Sequence, residues 1–178
     1  IIKDKLFFFV AYDKFESVAP LNRGPAGSGA VNEVSTITLD DVAQVSQIVS
    51  DVWGFDIGGF QKDDVQDEKV LANIDWNIND DHRANLIYNY NDGFTLSQSD
   101  AYSNTVTLDN HFFKQSAEFT SIIGSLYSDW SDEFSTEIRL GKSELDQTVR
   151  SLDAASSFGE MQIRTEDGGT IYIGPDDS

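Results

Sequence analysis

Cysteine is absent from the 178 residues, which excludes disulfides and thiolate metal sites. Cations are scarce: 12 Lys and Arg stand against 31 Asp and Glu, for a formal net charge of −19. That balance excludes nucleic acid as a partner, since it needs a basic face, and also a polybasic helix at a membrane surface. No apolar run approaches the roughly 20 residues of a transmembrane helix. Average hydropathy therefore describes a water-soluble chain. That test is blind to transmembrane β-barrels, whose strands alternate lipid-facing and lumen-facing residues. The length suits one ordinary domain. The chain opens at Ile1 without Met, in strand-like sequence, and closes in the loop composition Gly174-Pro175-Asp176-Asp177-Ser178. It reads as a segment of a longer protein, so nothing follows from the elements it lacks.

What is present is alternation. In Val70–Leu96, Val70, Ala72, Ile74, Trp76 and Ile78 alternate with Leu71, Asn73, Asp75 and Asn77. After Asn79-Asp80-Asp81-His82 the pattern resumes, with Ala84, Leu86, Tyr88 and Tyr90 set against Arg83, Asn85, Ile87, Asn89 and Asn91. Period two with an Asn/Asp cluster between predicts a β-hairpin. A second copy follows. Ile122, Gly124, Leu126 and Trp130 lead through Ser131-Asp132-Glu133 to Phe134, Thr136, Ile138 and Leu140. Both hairpins place Asp-Trp just before the turn, as Asp75-Trp76 and Asp129-Trp130.

In chain order, Ile1–Lys5 reads as the end of a turn and Leu6–Glu16 as the first complete strand. Leu6, Phe8, Val10 and Tyr12 are assigned outward, and Phe7, Phe9, Ala11 and Asp13 inward. From Ser17 to about Asp67 the chain reads as a long connection. Gly24–Gly29 within it fits a plain glycine-rich loop, because no Gly-Lys-Ser/Thr follows and the strand–loop–helix context of a phosphate loop is lacking. Thr38-Leu39-Asp40-Asp41 is a capping box. It opens a helix with Val42, Val45, Val49, Val52 and Trp53 on one stripe and Gly54 as the stop. That helix packs over its own loop or, alternatively, binds a partner. Asp92–Gln115 and Asp146–Ser178 read as further long connections, the latter holding a small hairpin of Met161–Thr165 and Thr170–Ile173 around Glu166-Asp167-Gly168-Gly169.

Five long strands are thus expected, near Leu6–Glu16, Lys69–Ile78, Arg83–Leu96, Phe119–Trp130 and Phe134–Leu145, in an antiparallel meander. Connections alternate long, short, long, short, long. Outer-membrane barrels alternate brief periplasmic turns with long outer loops in this way. Trp76 and Trp130 sit beside the short turns, while Tyr88 and Tyr90 lie toward the long-loop end, as interfacial aromatic belts would. Strand lengths match the roughly 9–11 residues a tilted strand needs. The fold class is therefore all-β, an antiparallel meander forming part of a transmembrane outer-membrane β-barrel, with long loops and one short loop helix.

IIKDKLFFFVAYDKF resembles the segment after the plug in Oar-like TonB-dependent outer-membrane receptors. LANIDWNINDDHRANLIYNYNDG and SLYSDWSDEFSTEIRLGKSE are similar to the next barrel hairpins, and GGTIYIGPDDS to the Gly-Pro-Asp run in the following loop. The likeness covers most of the chain in order. It implies that residues 1–178 are a partial barrel domain of a plugged barrel of about 22 strands in the bacterial outer membrane. It also implies import of a large or scarce solute, with outer-membrane lipid around it and the TonB complex engaged through regions outside this segment.

No catalytic or cofactor-binding residue is assigned, and the chain reads as a non-enzyme. No Gly-x-Ser-x-Gly elbow occurs, and carboxylates are too plentiful to single out a glycosidase pair. His82 and His111 fall in a short turn and a long loop, so both are expected to be exposed and not to share a metal. Asp75–Asp80 begins like a calcium loop, but Gly is missing at its sixth position and Leu86 stands where Glu should be twelfth. Asp63, Asp64, Asp67 and Glu68 are candidates for weak calcium binding, against a solvated charge cluster. Asn73, Asp75, Asn85, Asn89, Asn91, Glu137 and Arg139 are expected to face a plug or hydrated lumen. The competing reading is a secreted acidic β-sandwich adhesin or calcium-binding module, in which the apolar faces would form a shared dry core.

Overall fold

The computed structural model describes residues 2–60, 64–152 and 158–175. Lys3–Lys5 form a turn, closed by the Leu6 amide donating to the Ile2 carbonyl at 3.0 Å. The elements that follow are β1 (Leu6–Val18), β2 (Arg23–Ala26), β3 (Asn32–Thr38), α1 (Leu39–Trp53), β4 (Asp64–Asn77), β5 (His82–Ser97), β6 (Thr105–Thr107), a 3-10 turn at Asp109–His111, β7 (Phe113–Ser131), β8 (Phe134–Ser151), β9 (Met161–Arg164) and β10 (Thr170–Ile173).

The five long strands form one antiparallel sheet in the order β1-β4-β5-β7-β8. Each long strand thus pairs with the next one in sequence, and β1 does not pair with β8. Both turns are short. In the first, Asn79 Oδ1 accepts from the amides of Asp81 and His82, an Asx turn. The second is only Asp132-Glu133. The strands run further than the alternation indicates. β4 begins at Asp64, β7 begins at Phe113 and β8 ends at Ser151, while β5 ends at Ser97, one residue past the expected Leu96. Much of what reads as connection at 92–115 and 146–151 is therefore strand. Backbone ladders are indifferent to side-chain pattern, so pairing continues where the alternation has stopped.

By contacts, the chain divides into two compact units. The first is Ile1–Phe15, Gln66–Gly93 and Ser116–Gln147, the body of the long sheet. Among its described residues no large apolar side chain is buried. The second is Glu16–Val65, Phe94–Gln115 and Thr148–Ser178. Its core is Val34, Ile37, Val42, Val45, Val49, Ile57, Val106, Leu108, Ile171 and Ile173. The stretches read from sequence as mere connections thus hold the packed core. Outside α1 the core residues come one or two to a short strand, Val106 on β6, Val34 and Ile37 on β3, Ile171 and Ile173 on β10, too few for a period to show.

Within this second unit β10 lies between β6, parallel, and β9, antiparallel, with Ile171 opposite both Val106 and Ile163. Gly24 and Pro25, read as loop, belong instead to β2, which pairs parallel with β3 through a short return over Gly27–Val31. That return is held by Glu33, whose carboxylate accepts from the amides of Gly27 (3.1 Å) and Gly29 (2.9 Å). These bonds hold Glu33 below the usual carboxylate range. The glycine loop is therefore an anion nest already filled by the chain's own carboxylate. Helix α1 starts as expected: the Asp41 amide donates to Thr38 Oγ1 at 3.1 Å, and Asp41 Oδ2 accepts from the Thr38 amide at 2.7 Å. It ends at Gly54 in the left-handed region. Val42, Val45 and Val49 are buried, but Val52 and Trp53, assigned to the same stripe, are exposed.

Candidate functional site

The two faces of the long sheet can be followed from contact to contact within the first unit. On one face, Asn85 Nδ2 donates to Asn73 Oδ1 (2.6 Å) and Asp75 Oδ1 (2.7 Å), and Asn73 Nδ2 donates to Asp75 Oδ2 (2.7 Å). Asn89 donates to Ser121 Oγ at 3.1 Å, and the Arg83 guanidinium lies 5.7 Å from the Tyr127 ring centre. Arg139 pairs with Glu137 at 2.8 Å. A Cβ on Gly141 would stand 3.3 Å from Ile123 Cγ1. All of these are odd-numbered residues, so the odd faces of β4, β5, β7 and β8 coincide. Ser121 and Ser125 are buried there. Asn73, Asn85, Asn89 and Ser121 each find a partner on this face, as polar groups withdrawn from bulk water require, whereas Asn91 Oδ1 is buried without one.

The other face is apolar and open. The His82 ring meets Trp130 edge-on at 5.1 Å, and Trp130 Nε1 donates to Thr136 Oγ1 at 2.9 Å. Leu86 Cδ1 lies 3.9 Å from where a Cβ on Gly124 would be. Ile74, Trp76, Leu86, Tyr88, Leu126, Trp130, Phe134, Ile138 and Leu140 are all exposed, from 37% for Tyr88 to 73% for Leu140, and Val70 is half-buried. Trp76 and Trp130 stand next to the short turns as expected. Tyr88 and Tyr90 fall in the middle of β5, which ends at Ser97, one residue beyond the expected Leu96. Counted from the short turn, they still fall within the roughly 9–11 residues of a membrane-spanning strand.

The candidate metal ligands fare differently. Asp63 lies outside the described residues. Asp64, Asp67 and Glu68 are on β4, where neighbours such as Asp67 and Glu68 point to opposite faces, and Asp67 pairs with Lys69. Asp75 is engaged by Asn73 and Asn85 and opens no calcium loop. His82 is the first residue of β5 and half-buried against Trp130. His111, expected to be exposed, is completely buried. Its Nδ1 lies 2.9 Å from the Gly174 carbonyl oxygen and its Nε2 lies 3.0 Å from Asp100 Oδ2. The Tyr172 ring lies 5.3 Å from it, and burial, with Asp100 and Glu160 nearby, pushes that phenol up. Among the described residues, Asp100, His111 and Glu160 are the one group of three such side chains with a ligand atom each, all within 4.8 Å of one another. Sequence spacing gave no hint of it, since Glu160 and His111 sit in different connections. No known protein family, curated protein or solved structure matches the chain.

Proposed function

We propose that residues 1–178 are part of the barrel of a TonB-dependent, Oar-like transporter of the bacterial outer membrane, importing a large or scarce solute. The observation that carries this reading is the inverted burial of the five-stranded sheet. Between Val70 and Leu140 the large exposed apolar side chains of β4, β5, β7 and β8 share one face, while Asn, Asp and Ser side chains bond to one another on the opposite face; on β1, Phe7, Phe8, Phe9 and Val10 are exposed on both faces. In water that arrangement leaves apolar area unburied at about 25 cal/mol per Å². Against lipid it costs nothing, and the polar face then borders a hydrated lumen. A sandwich adhesin would bury these same apolar faces in a dry core. The reading is non-enzymatic, with lipid, solute and the TonB complex as partners.

Two measurements test it. The gene around this segment is expected to encode a plug and further strand pairs; a gene without either overturns the reading. In the purified receptor, with single tryptophans retained in turn, Trp76 and Trp130 are expected to be quenched by lipids labelled near the headgroup more than by lipids labelled at the bilayer centre. Quenching by aqueous acrylamide alone would count decisively against lipid contact.

A further inference from the structure

We infer that Asp100, His111 and Glu160 form a binding site for one divalent transition-metal ion of the zinc class. The argument starts at the buried imidazole of His111. The Gly174 carbonyl, 2.9 Å from Nδ1, can only accept, so Nδ1 carries a hydrogen and donates it. At the other nitrogen, Nε2 stands 3.0 Å from Asp100 Oδ2, and a carboxylate oxygen also only accepts, so the two are joined by a proton or by a metal ion. Two lone pairs at that separation repel unless a cation stands between them. A proton would serve this pair alone. The Glu160 carboxylate converges on the same point, all three ligand atoms lying within 4.8 Å. One proton leaves two carboxylates undercompensated beside a completely buried ring, whereas a divalent ion balances both and takes all three donors.

The support around the site comes from outside the cluster. An Nδ1–H bonded to a backbone carbonyl is the usual orienting bond of a ligating histidine. Here the carbonyl belongs to Gly174, whose amide donates to Asn110 Oδ1 at 3.3 Å. Gly174 has φ +83, and a Cβ on it would collide with the Gly159 backbone. Only glycine lets that strand of chain pass, and its passage brings Glu160 to His111. Gln162 Nε2 holds Glu160 Oε1 at 3.1 Å.

The donor set selects the ion. One imidazole and two carboxylates suit zinc and its neighbours, whereas calcium takes 6–8 oxygens. Ligands about 2.1 Å from a tetrahedral ion stand about 3.4 Å apart, so His111 and Asp100, 3.0 Å apart, would open by about 0.4 Å and Glu160, within 4.8 Å of both, would close by at most about 1.4 Å. The fourth position is left to water or a ligand. Because Asp100 precedes β6, His111 lies in the 3-10 turn and Glu160 precedes β9, the ion would tie three connections together.

The experiment uses the full chain in detergent micelles, stripped with chelator, and Zn²⁺ alone as the probe in calorimetry. One Zn²⁺ per chain is expected, with Asp100→Asn and Glu160→Gln each weakening it at least tenfold and His82→Gln leaving it unchanged. Cobalt substitution should give a visible d–d band that Glu160→Gln alters. Glu160 is only half-buried, so its amide variant keeps the test usable if His111→Gln fails to fold. Binding as tight in Glu160→Gln and Asp100→Asn as in the parent overturns the proposal, as does Ca²⁺ bound as tightly as Zn²⁺. A ¹⁵N spectrum showing hydrogen on both His111 nitrogens before and after zinc addition overturns it too.

Discussion

Leu86 and Leu108 are the same residue in opposite surroundings, one 42% exposed and the other fully buried. If Leu86 faces lipid as proposed, Leu86→Arg is expected to cost about 2–4 kcal/mol near the bilayer midplane. Equilibrium unfolding in vesicles measures it, and a change near zero would deny lipid exposure at that position. Gly174→Ala places a side chain at positive φ and against the Gly159 backbone. It should destabilise by at least about 1 kcal/mol and shift the His111 ring resonances, whereas Gly159→Ala, with open space around it, should leave those resonances in place. Single residues were legible in the sequence where their neighbours in the chain decide them. Thr38 and Asp41 cap a helix three residues apart. The burial of His111 was not legible, because it depends on Gly174, 63 positions away, and on a turn at Asp100 with φ 46.

At the scale of the element, α1 yields a pH prediction. The Thr38 amide, and then its hydroxyl, hold the Asp41 carboxylate below its ordinary value of 3.8. A carboxylate lowered on folding contributes stability that is complete above its unfolded value and is lost as pH falls through the folded one. Amide protection at Val42–Val45 should therefore hold steady down to about pH 5 and fall in stronger acid, an acid-dependent loss that Asp41→Asn removes. Thr38→Ala should cost about 1 kcal/mol at neutral pH by the same exchange measurement. Four of the five long strands were legible because both hairpins alternate around a short polar turn, and β1 because Leu6–Tyr12 is the most apolar stretch of the chain. Their true ends were not, since Phe113–Glu118 and Asp146–Ser151 join the ladder without an apolar/polar alternation in sequence. The helix stripe failed only at Val52 and Trp53, in the last turn.

For the whole molecule, the sheet ends in β1 and β8, two long edges with large apolar residues such as Phe8 and Leu140 exposed on them. Open edges of this kind recruit other chains. Residues 1–178 alone are expected to associate or precipitate in plain buffer, and to transport nothing with or without TonB. A sharply monomeric species with a cooperative melt and no detergent, by analytical ultracentrifugation and calorimetry, would overturn the barrel reading. Among the described residues, the confinement of every buried large apolar residue to the second unit carries a consequence for how this chain changes over generations. Ile171 fills a fixed volume, so Ile171→Ala opens a hole costing about 2–5 kcal/mol, and selection there acts on shape. Lipid has no shape to match. If lipid covers the exposed face as proposed, Leu126, Ile138 and Leu140 are free to wander among Leu, Ile, Val and Phe, so that this face drifts in form while keeping its oiliness and the small core stays nearly still.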